Sequence, residues 1–311
     1  MSKKNKAIIL GAGPAGLVTA WKLLENNWDV EIYEKNKTVG GMCRSWKWKG
    51  FIVDTGPHIF HTPHESLIKL WKEEFGDLLL EGKFWCQNVQ GNEYNEYWDY
   101  PLSWESISKK YPRDLKKKIY SELKNLKKFK KDRATSFSEY IAGQTGPTLY
   151  DMFFRRYPKK IWGIDAEKIT AEWAPKRIEI RKKMLPFYYG QYSAVGRYGT
   201  GAIYARIKDK ILKLGGKVFL NQTITGIEIQ NNKIIELNCL SKRNIKILND
   251  DVIISTLPIT LTAKLLGYNS KLKFRGIKSV YLHYDKKQIL PDKYQWFYYD
   301  DLKILFNRIT E

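Results

Sequence analysis

The stretch Ala7-Ile8-Ile9-Leu10-Gly11-Ala12-Gly13-Pro14-Ala15-Gly16 decides how the rest of the sequence is read. Four consecutive apolar residues suit a strand buried on both faces, as in a parallel sheet, and the glycines then break the run. Gly11, Gly13 and Gly16 form a GxGxxG that leaves this strand and opens a helix running from about Pro14 to Asn26. In that context backbone N–H groups and the helix N-terminus hold a pyrophosphate. Val30-Glu31-Ile32-Tyr33 alternates as a second strand, so that 6–34 reads as one βαβ unit. Glu34 stands at its end, 18 residues beyond Gly16, where a carboxylate can accept from ribose hydroxyls, and Lys35 follows it.

A second glycine pair, Gly40-Gly41, comes just after that acidic strand, with Arg44 three residues further on. A backbone that must pass close to a dinucleotide, with a cation facing its phosphates, has this form, and it favours FAD over NAD. A surface position is the alternative for Arg44. Asp54-Thr55-Gly56-Pro57-His58-Ile59-Phe60-His61-Thr62 is the next informative segment. Its glycine lets backbone approach a flat ring, and a carbonyl or imidazole near a flavin nitrogen stabilises one protonation state of reduced flavin. Buried, hydrogen-bonded structural histidines are the alternative for His58 and His61. His64 completes a trio, but no Cys or acidic partner joins it and no metal site is expected.

The fold class read from these patterns is α/β: a Rossmann-like FAD-binding domain with a helical insertion and an antiparallel-sheet substrate region. The expected domains are 1–62, first part of the FAD-binding domain; 63–198, a helix-rich substrate or cap region; 199–266, the returning part; and 267–311, antiparallel strands of the substrate region. Helical spacing shows in Leu67-Leu70-Trp71, Leu115-Ile119-Leu123-Leu126, Phe137-Tyr140-Ile141 and Leu149-Met152-Phe153, with Pro112 and Pro147 placed for a first helical turn. The Lys/Arg-rich 109–133 reads as a solvated helix face with an apolar stripe. A helix at 201–214 should stop at Gly215-Gly216, and Asn231-Asn232 should turn a hairpin between strands 223–229 and 233–240. Val252 to Thr256 reads as a buried strand, and 278–284 and 294–299 as half-buried antiparallel strands.

Composition bounds the function. The 311 residues are 43% apolar, 14% aromatic and 28% charged, enough for a sizeable core, which excludes a disordered, collagenous or disulfide-stapled chain. Cys43, Cys86 and Cys239 are far apart, without CxxC spacing or a secretory leader ahead of them, which fits a reducing cytoplasm. No run approaches the roughly 18 to 20 apolar residues of a membrane span. The net charge of +21 would attract polyanions, phosphorylated substrates or, weakly, an anionic membrane surface, while lysine spread among Asn, Ile and Tyr also follows from AT-biased codon usage. The aromatic-rich basic stretches lack the pattern of an RNA-reading sheet, so no nucleic-acid partner is expected. Assembly as a homo-oligomer is left open.

The glycine motifs and Glu34 resemble the FAD-binding family that includes amine oxidases, protoporphyrinogen oxidase, phytoene desaturase and UDP-galactopyranose mutase. Val252-Ile253-Ile254-Ser255-Thr256-Leu257-Pro258 looks like that family's strand returning to the flavin domain, and Gly56 to Thr62 is similar to the segment that the mutases run along their flavin. Phe153-Phe154 through Tyr157, Lys160, Trp162-Gly163 and Lys176-Arg177 looks like the "FF…Y…K.WG…KR" block of mutases and mutase-like oxidoreductases. The resemblance implies that Trp162 lines a substrate pocket and that Arg177 binds a nucleotide diphosphate; core packing and a solvated helix position are their bland readings. It implies an enzyme that isomerises a nucleotide sugar, or a related intermediate in polysaccharide biosynthesis, through reduced flavin. The alternatives are an oxidoreductase passing hydride from a small molecule to FAD, and a non-catalytic flavin-fold protein. This sequence departs from the mutase pattern at Ile161, where mutases carry glutamine, and at Ile178 to Arg181, with Arg181 a fainter candidate. In relatives the strand around Phe306 to Glu311 precedes a final flavin-contacting segment, so a truncated or split form is the expectation here.

Overall fold

The computed structural model describes residues 4–90, 96–126, 133–174, 178–241, 244–291 and 293–311. In chain order it opens with β1 (Lys6–Leu10), α1 (Pro14–Glu25) and β2 (Asp29–Tyr33), then the hairpin β3 (Ser45–Trp48) and β4 (Phe51–Asp54), β5 (Phe60–Thr62), α2 (Glu65–Phe75) and β6 (Leu79–Glu81). There follow β7 (Cys86–Gln90), β8 (Glu96–Tyr100), α3 (Trp104–Lys110), α4 (Arg113–Asn125), α5 (Phe137–Phe153) and α6 (Tyr157–Trp162). Next come β9 (Tyr192–Gly196), α7 (Thr200–Lys213), β10 (Lys217–Phe219), β11 (Ile224–Gln230), β12 (Lys233–Cys239), β13 (Ile245–Lys246), β14 (Val252–Ser255) and α8 (Ile259–Leu265). The last strands are β15 (Trp296–Tyr299) and β16 (Arg308–Thr310). Two compact units result: Met1–Gly82 with Tyr192–Val280, and Lys83–Gln191 with Tyr281–Glu311.

In the first unit the described residues form a parallel sheet in the order β10-β2-β1-β14. The unbroken apolar run of β1 has its cause here, because both faces of the sheet are covered. Ala7, Ile9, Val30 and Ile32 pack with Leu17 and Trp21 of α1 and Ile203, Ile207 and Ile211 of α7. Ile8 and Leu10 join Ile224, Leu237 and Cys239 on the other side. Each such fully buried aliphatic side chain stabilises by about 1.5–3 kcal/mol. The Asn231-Asn232 turn forms as the sequence indicates, with φ of 50° and 58°, and α7 stops before Gly215 at φ 87°. β14 differs from expectation: it is the edge of the sheet, and Val252 is 41% exposed.

The second unit packs α4 and α5 around Ile107, Ile119, Phe137, Ile141 and Leu149. Ile119 carries the apolar stripe of α4, with Leu115 and Leu123 beside it. α5 is two helices joined at Gly146, whose φ is 82°, and Pro147 begins the second. Glu122 of α4 accepts from the Thr148 N–H (2.9 Å) and hydroxyl (2.6 Å), so that another helix caps this new start. The sheet of this unit, β16-β15-β7-β8, is mixed, with β15 parallel to β7. The stretch 63–198 thus holds strands as well as helices. The strand expected at 278–284 does not form: Val280, Leu282 and Tyr284 alternate but are 75%, 68% and 53% exposed, and alternation without a ladder partner makes no strand. Among the described residues no helix is long and apolar enough to cross a membrane.

Candidate functional site

The glycine loop is built from backbone. Gly11 leaves β1 at φ 101°, its N–H donating to the Tyr33 carbonyl (2.8 Å). Gly13 is the extended N-cap of α1, with no side-chain cap, Pro14 in the first turn and no acidic residue there. The helix therefore presents unpaired N–H groups and uncompensated positive dipole. Ala15 is exposed beside them. Gly16 is buried, and a Cβ on it would lie 2.0 Å from the Gly11 carbonyl oxygen. The glycine doublet closes over this loop: the Gly40 N–H donates to the Ala12 carbonyl (2.8 Å), and a Cβ on Gly41 would come within 3.0 Å of the Gly13 Cα. Close approach of two protein backbones gives this pair a reason beyond the dinucleotide contact expected of it.

Glu34, 5% exposed, ties the loop from the side. One carboxylate oxygen accepts from the Ala12 N–H (2.8 Å), the other from the Asn36 backbone (2.9 Å) and side-chain (2.5 Å) N–H groups. A carboxylate offers about four acceptor sites, so capacity remains for a hydroxyl. Lys35 is exposed beside it. Arg44 is half-buried against Gly40, its Cγ 3.5 Å from where a Cβ would be, and among the described residues no carboxylate pairs with it.

The Asp54–Thr62 segment belongs to the same unit. Gly56 faces open space, with only the Ser279 hydroxyl 3.9 Å from its virtual Cβ, and Pro57 is exposed. His58 is half-buried, and its Nδ1 is shielded from solvent with no hydrogen-bond partner among the described residues. His61 lies in β5 opposite Ser193. No group of three His, Cys, Asp or Glu side chains among the described residues could hold a metal ion.

The second unit holds the other candidates. Trp162 ends α6, 38% exposed, its ring edge-on to Trp173 at 5.9 Å, and Gly163 caps the helix at φ 68°. Arg177 lies outside the described residues. Arg181 is committed to structure, donating to the carbonyls of Pro186 (2.9 Å) and Phe187 (3.3 Å), which removes it as a free ligand. A polar and aromatic cluster emerges of which the sequence motifs contained only Tyr157. The rings of Tyr100 and Tyr157 stand 6.2 and 6.0 Å from that of Tyr298, and Tyr298 pairs with Arg308 across β15–β16. Burial pushes the Tyr157 and Tyr298 hydroxyls and the Cys86 thiol up; Arg308 opposes the rise in all three, and among the described residues no carboxylate pairs with it. Asp300 is 3% exposed; its Oδ2 lies 3.6 Å from Arg156 and makes no hydrogen bond among the described residues. Burial raises its carboxyl to about 6 against the pull of Arg156. In sequence the cluster shows only as Tyr157 in the mutase-like block and as the aromatic run Trp296-Phe297-Tyr298-Tyr299 read as a strand.

Comparison with known proteins settles the family. The description "Flavin containing amine oxidoreductase" matches residues 14–309. The chain belongs to the flavin-containing amine oxidoreductase family. The dTDP-fucopyranose mutase of Escherichia coli is 30% identical over 213 residues, 65% of this chain and 54% of the relative. A probable UDP-galactopyranose mutase of Klebsiella pneumoniae is 25% identical over 188 residues, 58% of this chain and 46% of the relative. A crystal structure of reduced UDP-galactopyranose mutase superposes with a TM-score of 0.75 at 22% identity, covering 99% of this chain and 70% of that one. This family member spans about half the length of the curated relatives it matches.

The flavin-containing family implies FAD, and the first unit passes the chemical test for it. An uncapped helix N-terminus suits a pyrophosphate, the backbone-only loop excludes side chains from the approach, Glu34 keeps an acceptor and Arg44 has no counter-ion among the described residues.

Proposed function

We propose that this family member is an FAD-dependent enzyme of mutase type that isomerises a nucleotide sugar or a related glycan intermediate with the flavin reduced. The observation that carries the reading is the placement of Arg308, which pairs with no carboxylate among the described residues, opposite Tyr298 across β15–β16, with the Tyr157 ring 6.0 Å from that of Tyr298, on the unit that also carries Trp162. Guanidinium and phenol donors suit a diphosphate, and an exposed indole face suits a sugar. The similarity to the two sugar mutases supports the same class. Reduced flavin, when bound, supplies a nucleophilic ring nitrogen for the sugar's anomeric carbon.

In this reading Gly11, Gly13, Pro14, Ala15 and Gly16 seat the pyrophosphate, Glu34 takes a ribose hydroxyl, and Gly40, Gly41, Lys35 and Arg44 complete the dinucleotide site. Gly56, Pro57 and His58 face the ring, where the Nδ1 of His58, without a partner among the described residues, is available for one hydrogen bond. Arg177 and Arg308 bind the diphosphate, Trp162 orients the sugar and His61 fixes the strand beneath His58. The free thiols Cys43, Cys86 and Cys239 suit a cytoplasmic setting. The family description favours a second reading, oxidation of a small molecule by hydride transfer to FAD, which needs no diphosphate ligand.

The test is a titration of the chain with FAD, then dithionite reduction and addition of UDP or dTDP, followed in the flavin spectrum. The mutase reading expects a nucleotide-induced perturbation, weakened about tenfold or more in Arg177→Ala. A flavin spectrum that ignores both nucleotides supports the oxidoreductase reading instead.

A further inference from the structure

Asp54 opens the Asp54–Thr62 segment but has been given no role so far, and its carboxylate joins three segments of the first unit. In the β3–β4 hairpin it lies directly opposite Ser45. Its oxygens accept from the Ser45 hydroxyl, from the Thr200 N–H at 3.1 Å and from the Thr200 hydroxyl at 2.5 Å. The Ser45 hydroxyl in turn accepts from the Gly201 N–H at 2.7 Å. These are the first N–H groups of α7, whose N-cap, Gly199, offers no side chain. A Cβ on Gly199 would come within 2.5 Å of the Ser45 Oγ and 2.9 Å of the Asp54 Oδ1, so the hairpin end sits directly on the helix. The negative charge also opposes the helix dipole there.

The two hairpin strands lead into different loops. Ser45 follows the glycine doublet and Arg44; Asp54 precedes Thr55, Gly56, Pro57 and His58. The loops are bonded to each other, the Thr55 N–H donating to the Arg44 carbonyl (3.1 Å) and the Thr55 hydroxyl to that of Met42. We infer that Asp54 is a positioning residue: by anchoring both strands on the N-terminus of α7 it fixes the glycine-doublet turn, 40–44, and the His58 loop, 55–58, relative to one another. That these loops face a flavin rests on the function proposed above; that Asp54 holds them in register does not.

The test compares Asp54→Ala, Asp54→Asn and Thr200→Val in this 311-residue chain with Ile207→Ala, which removes buried volume from the same helix without touching the hairpin. Amide hydrogen exchange over 40–44 and 55–58, and FAD affinity by flavin fluorescence, are measured on each. In Asp54→Ala the Cys43 and Thr55 amides should exchange about tenfold faster and FAD bind about tenfold more weakly. Asp54→Asn, which keeps one acceptor oxygen, should recover most of both, and Thr200→Val should show a loss of about threefold. Ile207→Ala should lower the melting temperature while leaving both readouts alone. Unchanged exchange in Asp54→Ala and Thr200→Val, or equal changes in Ile207→Ala, overturns the inference. Faster exchange in a series whose wild type takes up no FAD upholds Asp54 and refutes the cofactor reading.

Discussion

In the first unit the decisive residues are those with the least side chain, and in the second those with the most. Gly11, Gly13, Gly16, Gly40 and Gly41 shape one region by letting backbones meet, whereas Tyr100, Tyr157, Tyr298, Asp300 and Arg308 shape the other by bringing rings and charges together from distant parts of the chain. A backbone-built site tolerates no added atom where main chains touch, as at Gly16 and Gly41, because its dimensions there are those of the main chain. A side-chain-built site tolerates changes of shape but depends on how buried charge is balanced. The second unit shows both balances. Burial alone would raise Asp99, but the Lys110 ammonium at 2.6 Å and hydrogen bonds from Gln87, Tyr294 and Ser106 outweigh it and hold the carboxyl low. At Asp300 burial outweighs the longer contact to Arg156, a backbone hydrogen bond and the Lys160 charge, and the carboxyl stays high.

Three substitutions would break or sharpen this contrast. Asp99→Ala should cost the most, roughly 4 kcal/mol in urea unfolding at neutral pH, because buried donors lose their acceptor. Since Asp99 is depressed in the folded state, its contribution is complete above the ordinary carboxylate value and fades as pH falls through the folded one. Wild type should therefore lose its advantage over the variant in acid, while the FAD affinity of folded material stays the same; a parallel loss of FAD would erase the distinction between the units. Gly16→Ala comes next, about 3 kcal/mol from overpacking against the Gly11 carbonyl, read as loss of the flavin band after gel filtration. A yellow, stable Gly16→Ala protein would show that the loop is not backbone-limited. Asp300→Asn should act in the opposite direction and more weakly. A carboxyl raised to about 6 makes folding less favourable as pH climbs from its unfolded value through 6, so the amide should gain about 2 kcal/mol at pH 7.5 and nothing near pH 3.5. A loss at pH 7.5 would mean that the ionised Asp300–Arg156 pair stabilises the fold.

The same contrast explains what could be read in the sequence. The βαβ unit, the Asn231-Asn232 turn and the end of α7 are local, and spacing alone places them. β7 escaped because Cys86-Gln87-Asn88-Val89-Gln90 reads as polar, yet every residue is buried. Asp99 accepts from Gln87, and the Met152 carbonyl accepts from Asn88 and Gln90. Such partners are distant in sequence, so no period reveals them. Strand 278–284 failed for the converse reason, an apolar alternation without a ladder. The Tyr157–Tyr298–Arg308 cluster spans 151 positions of chain, and only folding gathers it.

The carbonyl 2.0 Å from a virtual Cβ at Gly16 also bears on the gene. Glycine codons are rich in G and C, and a reading frame drifting toward Lys, Asn and Ile codons is under steady pressure to give them up. At Gly16, Gly41 and Gly199 any such substitution would meet a wall of neighbouring atoms, whereas Gly76 and Gly276 have nothing within 4 Å and no left-handed φ to defend. Mutational bias can spend itself at the second kind of position, and at the first kind it is stopped by geometry.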